Sequence, residues 1–254
     1  MNWLSEHTLL PADPWLLLLA TFGAMCIGMS KAGLSGTATL NVVLMAHLFG
    51  AKASVGIILP MLIAADFMGY WINRHGGSWL RVLPMVPPAI VGVIVGWWLL
   101  DKLDNQAARI VIGWLILALL AFNLLLNRRR QDFVQLAEHR LFAWSMGCMA
   151  GVVTMLANAA GPVMTVYLLA QHLEKKEHLG VFSRFFLFIN LFKAPFSANL
   201  GIIHSKSLLT NLALLPGVIL GVLIGWQILK RLPQKPFEHV LFWLTAFAAL
   251  WMIR

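Results

Sequence analysis

Gly28-Met29-Ser30-Lys31-Ala32-Gly33-Leu34-Ser35-Gly36-Thr37 stands between two apolar runs, 14–29 and 37–49. A membrane-spanning helix needs about 20 apolar residues at a rise of 1.5 Å each, and both runs are shorter. A second interruption, Asn158-Ala159-Ala160-Gly161-Pro162, divides the short runs 141–157 and 161–171. Glycines let the chain leave the helix, and Gly161-Pro162 joins a breaker to a residue suited to open the next one. Each restarted helix aims free N–H groups and the positive end of a dipole at the membrane interior, where an oxyanion can dock. Interrupted apolar segments at corresponding places in two halves of a chain point to a transporter's binding site.

The surroundings of these breaks are apolar along the whole chain. Further runs occupy 53–73, 82–100, 108–127, 178–200, 208–229 and 237–253. The chain is 60% hydrophobic and 11% charged, against about 25% charged in soluble domains, and its mean hydropathy is +0.80. Lipid requires every backbone polar group to pair within its own segment or a closed barrel. The expectation is an all-α polytopic membrane protein, one transmembrane domain over 1–253, with no connector long enough for a soluble domain. The start lacks the basic n-region of a signal peptide, so the first apolar run is expected to be retained. The net charge of +9 does not imply nucleic acid: the cations flank helices, without a basic stripe or aromatic platform.

The two halves resemble each other. Moved by 129 positions, Pro87–Leu115 falls on Pro216–Leu244 without a gap. Gly92, Gly96 and Trp97 then meet Gly221, Gly225 and Trp226, and Trp114 meets Trp243. A looser offset of 124 puts Gly23 on Gly147, Gly56 on Gly180 and Asp66 on Asn190. This gives repeat 1 at 14–127 and repeat 2 at 141–253, joined by a connector at 128–140. Each repeat would be a broken helical hairpin followed by three transmembrane helices. Small residues one turn apart let helix backbones approach closely in lipid, so the G-x-x-x-G pairs are read as packing.

Charge gives an orientation. With Arg128–Arg130 in the cytoplasm, the loops on that side carry 11 Lys and Arg, and the other side carries 5. Under the positive-inside rule the first repeat then enters from outside and the second from inside. The repeats would be inverted, as in many secondary transporters.

Three cations stand in the first break or well inside an apolar run: Lys31, Arg184 and Lys193. Asp66 is the one acid well inside such a run. A buried charge costs about 2.5–3.5 kcal/mol even on insertion scales, so intramembrane ions mark pathways and sites. An interior with excess positive charge suits an anion. Lys193, in Asn190-Leu191-Phe192-Lys193-Ala194-Pro195, is too central to snorkel, and Asn190 shares its helix face. The expected substrate-binding set is Lys31, Gly33, Gly36, Thr37, Asn158, Gly161, Asn190 and Lys193. Asp66 is the expected counter-ion or proton carrier, and Arg184 an anchor near a cytoplasmic helix start.

Other chemistries find little support. His47, His172, His178 and His204 lie near helix ends without metal-site spacing, so no metal is expected, nor any cofactor. Cys26 and Cys148 have no CxxC partner and read as small apolar packers. Gly33-Leu34-Ser35-Gly36 has the form of a rhomboid protease motif, but no mid-membrane histidine stands ready as its base. The ATP-binding pattern G-x-x-x-x-G-K-[ST] is absent.

The glycine-rich break at Lys31, the Gly56…Leu59-Pro60…Asp66 helix, Asn158-Ala159-Ala160-Gly161-Pro162 and Asn190-Leu191-Phe192-Lys193-Ala194-Pro195 resemble the TauE/SafE family of sulfite exporters, in order and spacing over nearly the entire chain. The resemblance implies a multi-pass permease of the bacterial inner membrane. It would move sulfite or a small organosulfur anion such as sulfoacetate outward by alternating access, one repeat rocking against the other. The expected partners are that small anion and membrane lipid; the oligomeric state is left open. At the 124 offset Met155 stands opposite Lys31, which implies an asymmetric site with Lys193 filling the missing role. Two alternatives remain at this point: a cation or metal permease, which would need more intramembrane carboxylates or histidines, and a membrane-embedded enzyme or assembly factor using Cys26 or Cys148.

Overall fold

A computed structural model describes residues 7–32, 34, 36–128, 140–171, 173–231 and 234–253. Among these residues the secondary structure is helical, without strands. Helix α1 spans Pro14–Lys31, α2 Gly36–Phe49 and α3 Ala51–Ile72. A short α4, Trp79–Val82, passes through one 3₁₀ turn into α5, Val86–Lys102, and α6 spans Asn105–Arg128. The second half repeats the order: α7 Arg140–Ala157, α8 Gly161–Ala170, α9 Lys175–Asn199, α10 Ser205–Arg231 and α11 Gln234–Ile253. Among the described residues six helices are long and apolar enough to cross a membrane: α1, α3, α4 continued into α5, α6, α9 and α10.

Local chemistry sets the boundaries. The Asp13 carboxylate accepts from the Trp15 and Leu16 N–H groups, and Pro14 opens the first turn of α1, where its missing N–H leaves nothing unsatisfied. Gly50, at φ 87°, turns α2 into α3 in a conformation that a β-carbon would disfavour. Both interruptions read from the sequence are present. The first separates Lys31 from Gly36, and the second separates Ala157 from Gly161. Lys31 is the last residue of α1 rather than part of the break. The connector falls at 129–139, outside the described residues.

Apolar side chains fill the core and also cover much of the outside. Leu212, Leu220, Leu223 and Trp226 of α10 and Trp114 of α6 face outward, as lipid permits. The closest crossings couple α1 to α10 and α5 to α7. A β-carbon on Gly28 would run into the backbone at Val218 and Val222, and one on Gly151 into the backbone at Ala89 and Val93. Val218 and Val222 stand 129 positions after Ala89 and Val93. Gly221 meets Met25 in the first crossing, and Gly92 meets Cys148 in the second. The glycines read from G-x-x-x-G spacing therefore lie at backbone contacts, as packing residues in lipid do.

Candidate functional site

The two breaks meet between α3 and α9. A small cavity is lined by Ser30 and Lys31 from the end of α1, Thr154 and Asn158 from the end of α7, and Phe186 and Asn190 from α9. The first residues of α2 and α8 contribute Ala38 and Gly161. About 20 Å³ is open to water centres, roughly room for one water, so a larger occupant requires the walls to part.

Charge is concentrated on this cavity. The Lys31 ammonium lies 2.6 Å from an Asp66 carboxylate oxygen and 4.4 Å from the centre of the Phe186 ring. The second Asp66 oxygen accepts from the Asn190 amide at 2.5 Å. Asp66 is 1% exposed and Lys193 is fully buried. Lys193 has no carboxylate partner among the described residues. Its three ammonium protons match three neutral acceptors: the Thr154 carbonyl at 2.9 Å, the Thr154 hydroxyl at 2.8 Å and the Asn158 side-chain oxygen at 2.5 Å. That uses the full donor capacity of an ammonium group. Lys31, its side chain 10% exposed, thus pairs with the one buried carboxylate, while Lys193 rests on neutral acceptors alone.

The local backbone explains the placement of Asn158. It sits at φ 55°, a left-handed conformation that asparagine tolerates better than most residues. From there its amide donates to the Val55 carbonyl of α3 while its oxygen receives Lys193. Asn158 therefore fastens the second break to both α3 and α9. Because the Thr154 oxygen already accepts from Lys193, its own proton remains available as a donor. Lys193 is absent from the cavity wall and acts one layer behind it, through Thr154 and Asn158, both of which line it.

Of the residues expected from the sequence, Lys31, Asn158, Gly161 and Asn190 line the cavity, and Asp66 and Lys193 each bond to one of them. Thr37 is fully buried with its hydroxyl on the Cys26 and Leu34 carbonyls. It ties the two sides of the first break together and is not part of the wall. Gly36 opens α2, also off the wall, and Gly33 lies outside the described residues. Arg184 is 5% exposed and donates to the carbonyls of Gly76, Gly180 and Arg74. It anchors the α3–α4 loop to α9. Thr154, Ser30, Phe182 and Phe186 were not expected. Thr154 had one available signal: it precedes Asn158 by four residues and so shares its helix face. Cys26 and Cys148 are free thiols, Cys26 buried.

Among the described residues no group of histidine, cysteine and acid could hold a metal ion. None of the curated proteins and none of the solved structures compared with this chain matches it. The family model described as Sulfite exporter TauE/SafE matches residues 17–252, nearly the full length. With six membrane-length helices and a buried, cation-rich cavity between two helix breaks, the chain belongs to the sulfite exporter TauE/SafE family of membrane transporters.

Proposed function

We propose that this transporter exports sulfite or a small organosulfur anion from the cytoplasm across a bacterial inner membrane. The observation that carries the reading is the excess of buried lysine over buried carboxylate at a cavity formed by two helix breaks. In this scheme Lys31 is the direct charge partner of the anion. Asp66 holds Lys31 when no anion is present. The Thr154 hydroxyl, the Asn158 amide and the N–H groups that open α8 at Gly161 add neutral donors, oriented by Lys193. An anion leaving an interior-negative cell gains about 2.3 kcal/mol per charge per 100 mV, so outward flow needs no coupled ion.

The reading includes two inverted repeats. Reciprocal packing supports it. Gly28 and Gly151, which make equivalent crossings, stand 123 positions apart. In the cavity wall Lys31 and Thr154, and Ala38 and Gly161, are separated by the same 123. Asp66 and Asn190, separated by 124, touch each other. A residue in contact with its own repeat mate lies at the axis relating the two halves. The first helices thus follow an offset of 123, one less than Gly23 and Gly147 suggest, and the partner of Lys31 is then Thr154 rather than Met155. A twofold backbone carries unlike chemistry: an ion pair from one repeat, neutral donors from the other. Alternating access follows when the halves exchange conformations about this axis.

Uptake of radiolabelled sulfite into proteoliposomes, with Lys31→Met and Lys193→Met beside the unaltered protein, tests the proposal. Uptake that is lost in both variants is expected. Uptake unchanged in both would make the lysines structural and sink the site. Activity with a sulfonate but not sulfite would keep the site and change the substrate.

A further inference from the structure

We infer that the cavity takes an anion bearing one negative charge and refuses a dianion of the same shape. This rests on the anion-export reading above and narrows its substrate class. Lys31 comes from α1, Asp66 from α3 and Lys193 from α9, while α2, α7 and α8 bring no acid, base or histidine to the wall. Two ammonium groups against one carboxylate leave one positive charge, with no further compensation among the described residues. The next buried cation, Arg184, is six residues from Asn190, about 9 Å along α9, and its guanidinium is taken up by two carbonyls of the α3–α4 loop and one of α9 itself.

In a dry interior an uncompensated unit charge is strongly unfavourable. A monoanion brings the site to neutrality. A dianion carries it past neutrality to a net negative charge, against the Asp66 carboxylate. The wall argues the same way. Asn190 turns its amide N–H toward Asp66, and its oxygen is buried without a hydrogen-bond partner. That oxygen can accept a hydrogen bond from a ligand but repels additional negative charge. Hydrogen sulfite and an alkylsulfonate meet the charge requirement, whereas the sulfite dianion, sulfate, thiosulfate and sulfoacetate, which carries a carboxylate beside its sulfonate, do not.

The test is calorimetric binding to the full chain in lipid–detergent micelles, with methanesulfonate and sulfate as probes. They share a tetrahedral sulfur and differ in charge. Methanesulfonate should bind about tenfold or more tightly than sulfate. Sulfite affinity should fall as pH rises through neutrality and hydrogen sulfite gives way to the dianion. Methanesulfonate, which has no proton to lose, controls for titration of Lys31, Asp66 and Lys193 and should stay flat. In Asp66→Asn the site gains a positive charge and the preference for methanesulfonate should narrow or reverse; if that variant does not fold, the pH series on the unaltered protein decides. Equal or tighter binding of sulfate, or sulfite affinity that rises with pH, overturns the inference and leaves an anion transporter. No binding of methanesulfonate, sulfate or sulfite at any pH overturns the anion reading and this inference with it.

Discussion

Replacing Asp66 by Asn should destabilise the fold more than replacing Lys31 by Met, and combining the two should recover part of the loss. The ion pair spans 2.6 Å, with side chains 10% and 1% exposed. Its Coulomb attraction is about 6 kcal/mol at an effective dielectric of about 20. Placing two ions in membrane helices costs about 5–7 kcal/mol on the insertion scale. The pair therefore contributes close to nothing net, while breaking it from one side costs about 3–5 kcal/mol. The two sides are not equivalent. Lys31→Met leaves Asp66 with the Asn190 amide and the field of Lys193, a site of zero net charge, and should cost about 3 kcal/mol or less. Asp66→Asn leaves two buried lysines and no acid, and belongs at the top of the range. Lys31→Met added to Asp66→Asn removes one of those lysines and should restore about 1 kcal/mol or more, even though it also removes the contact with Phe186, worth about 0.5–2 kcal/mol. Unfolding in mixed micelles titrated with SDS, followed by tryptophan fluorescence, measures all four proteins. Losses that simply add in the double variant would refute the charge accounting.

Asn158→Asp places a carboxylate on Lys193 at the 2.5 Å contact while keeping a short side chain at the left-handed position. Thermal stability in micelles should change little, the new ion pair with Lys193 offsetting the lost donor to the Val55 carbonyl, and anion uptake should be lost, because the site becomes neutral before any ligand enters. Retained uptake would show that the net charge does not drive binding. The orientation is tested by single cysteines at two exposed positions, His75 in the α3–α4 loop and Lys206 at the start of α10, in a chain with Cys26 and Cys148 replaced by Ala. An impermeant maleimide applied to intact cells should label the cysteine at 206 and spare that at 75; the opposite pattern inverts the topology.

Much of the architecture was legible because membrane helices announce themselves by length and polarity. The breaks at 32–35 and 158–160 carried glycine, proline and asparagine where apolar residues would have continued the helix. Lys31, Asp66 and Lys193 stood out because charge is rare in such segments, and Asp66 and Lys193 are buried. What was hidden depended on contacts between distant helices. Nothing in the spacing of residues tells that Lys193 of α9 reaches Thr154 of α7, or that Thr37 closes its own break instead of facing the cavity. Phe186 looked like one more aromatic in an apolar run until Lys31 was placed over its ring. On the repeat reading proposed above the first helices align at 123 rather than 124, a one-residue difference that Gly23 and Gly147 do not reveal, since both pack against neighbours.

The paired crossings also bear on how such a chain came to be and how it moves. The first helix of each half is sealed, at backbone contact, against the fourth-span helix of the other half: α1 against α10, α7 against α5. Either half made alone would present a glycine-lined seam to lipid with its mate missing. Under the repeat reading proposed above, a half-length ancestor would work as two separate subunits embracing each other, before a connector joined them. Under the same reading the pieces that stay rigid during transport would be the two cross-strapped couples, each drawing one helix from either end of the chain, with the motion that exposes the cavity sliding between them.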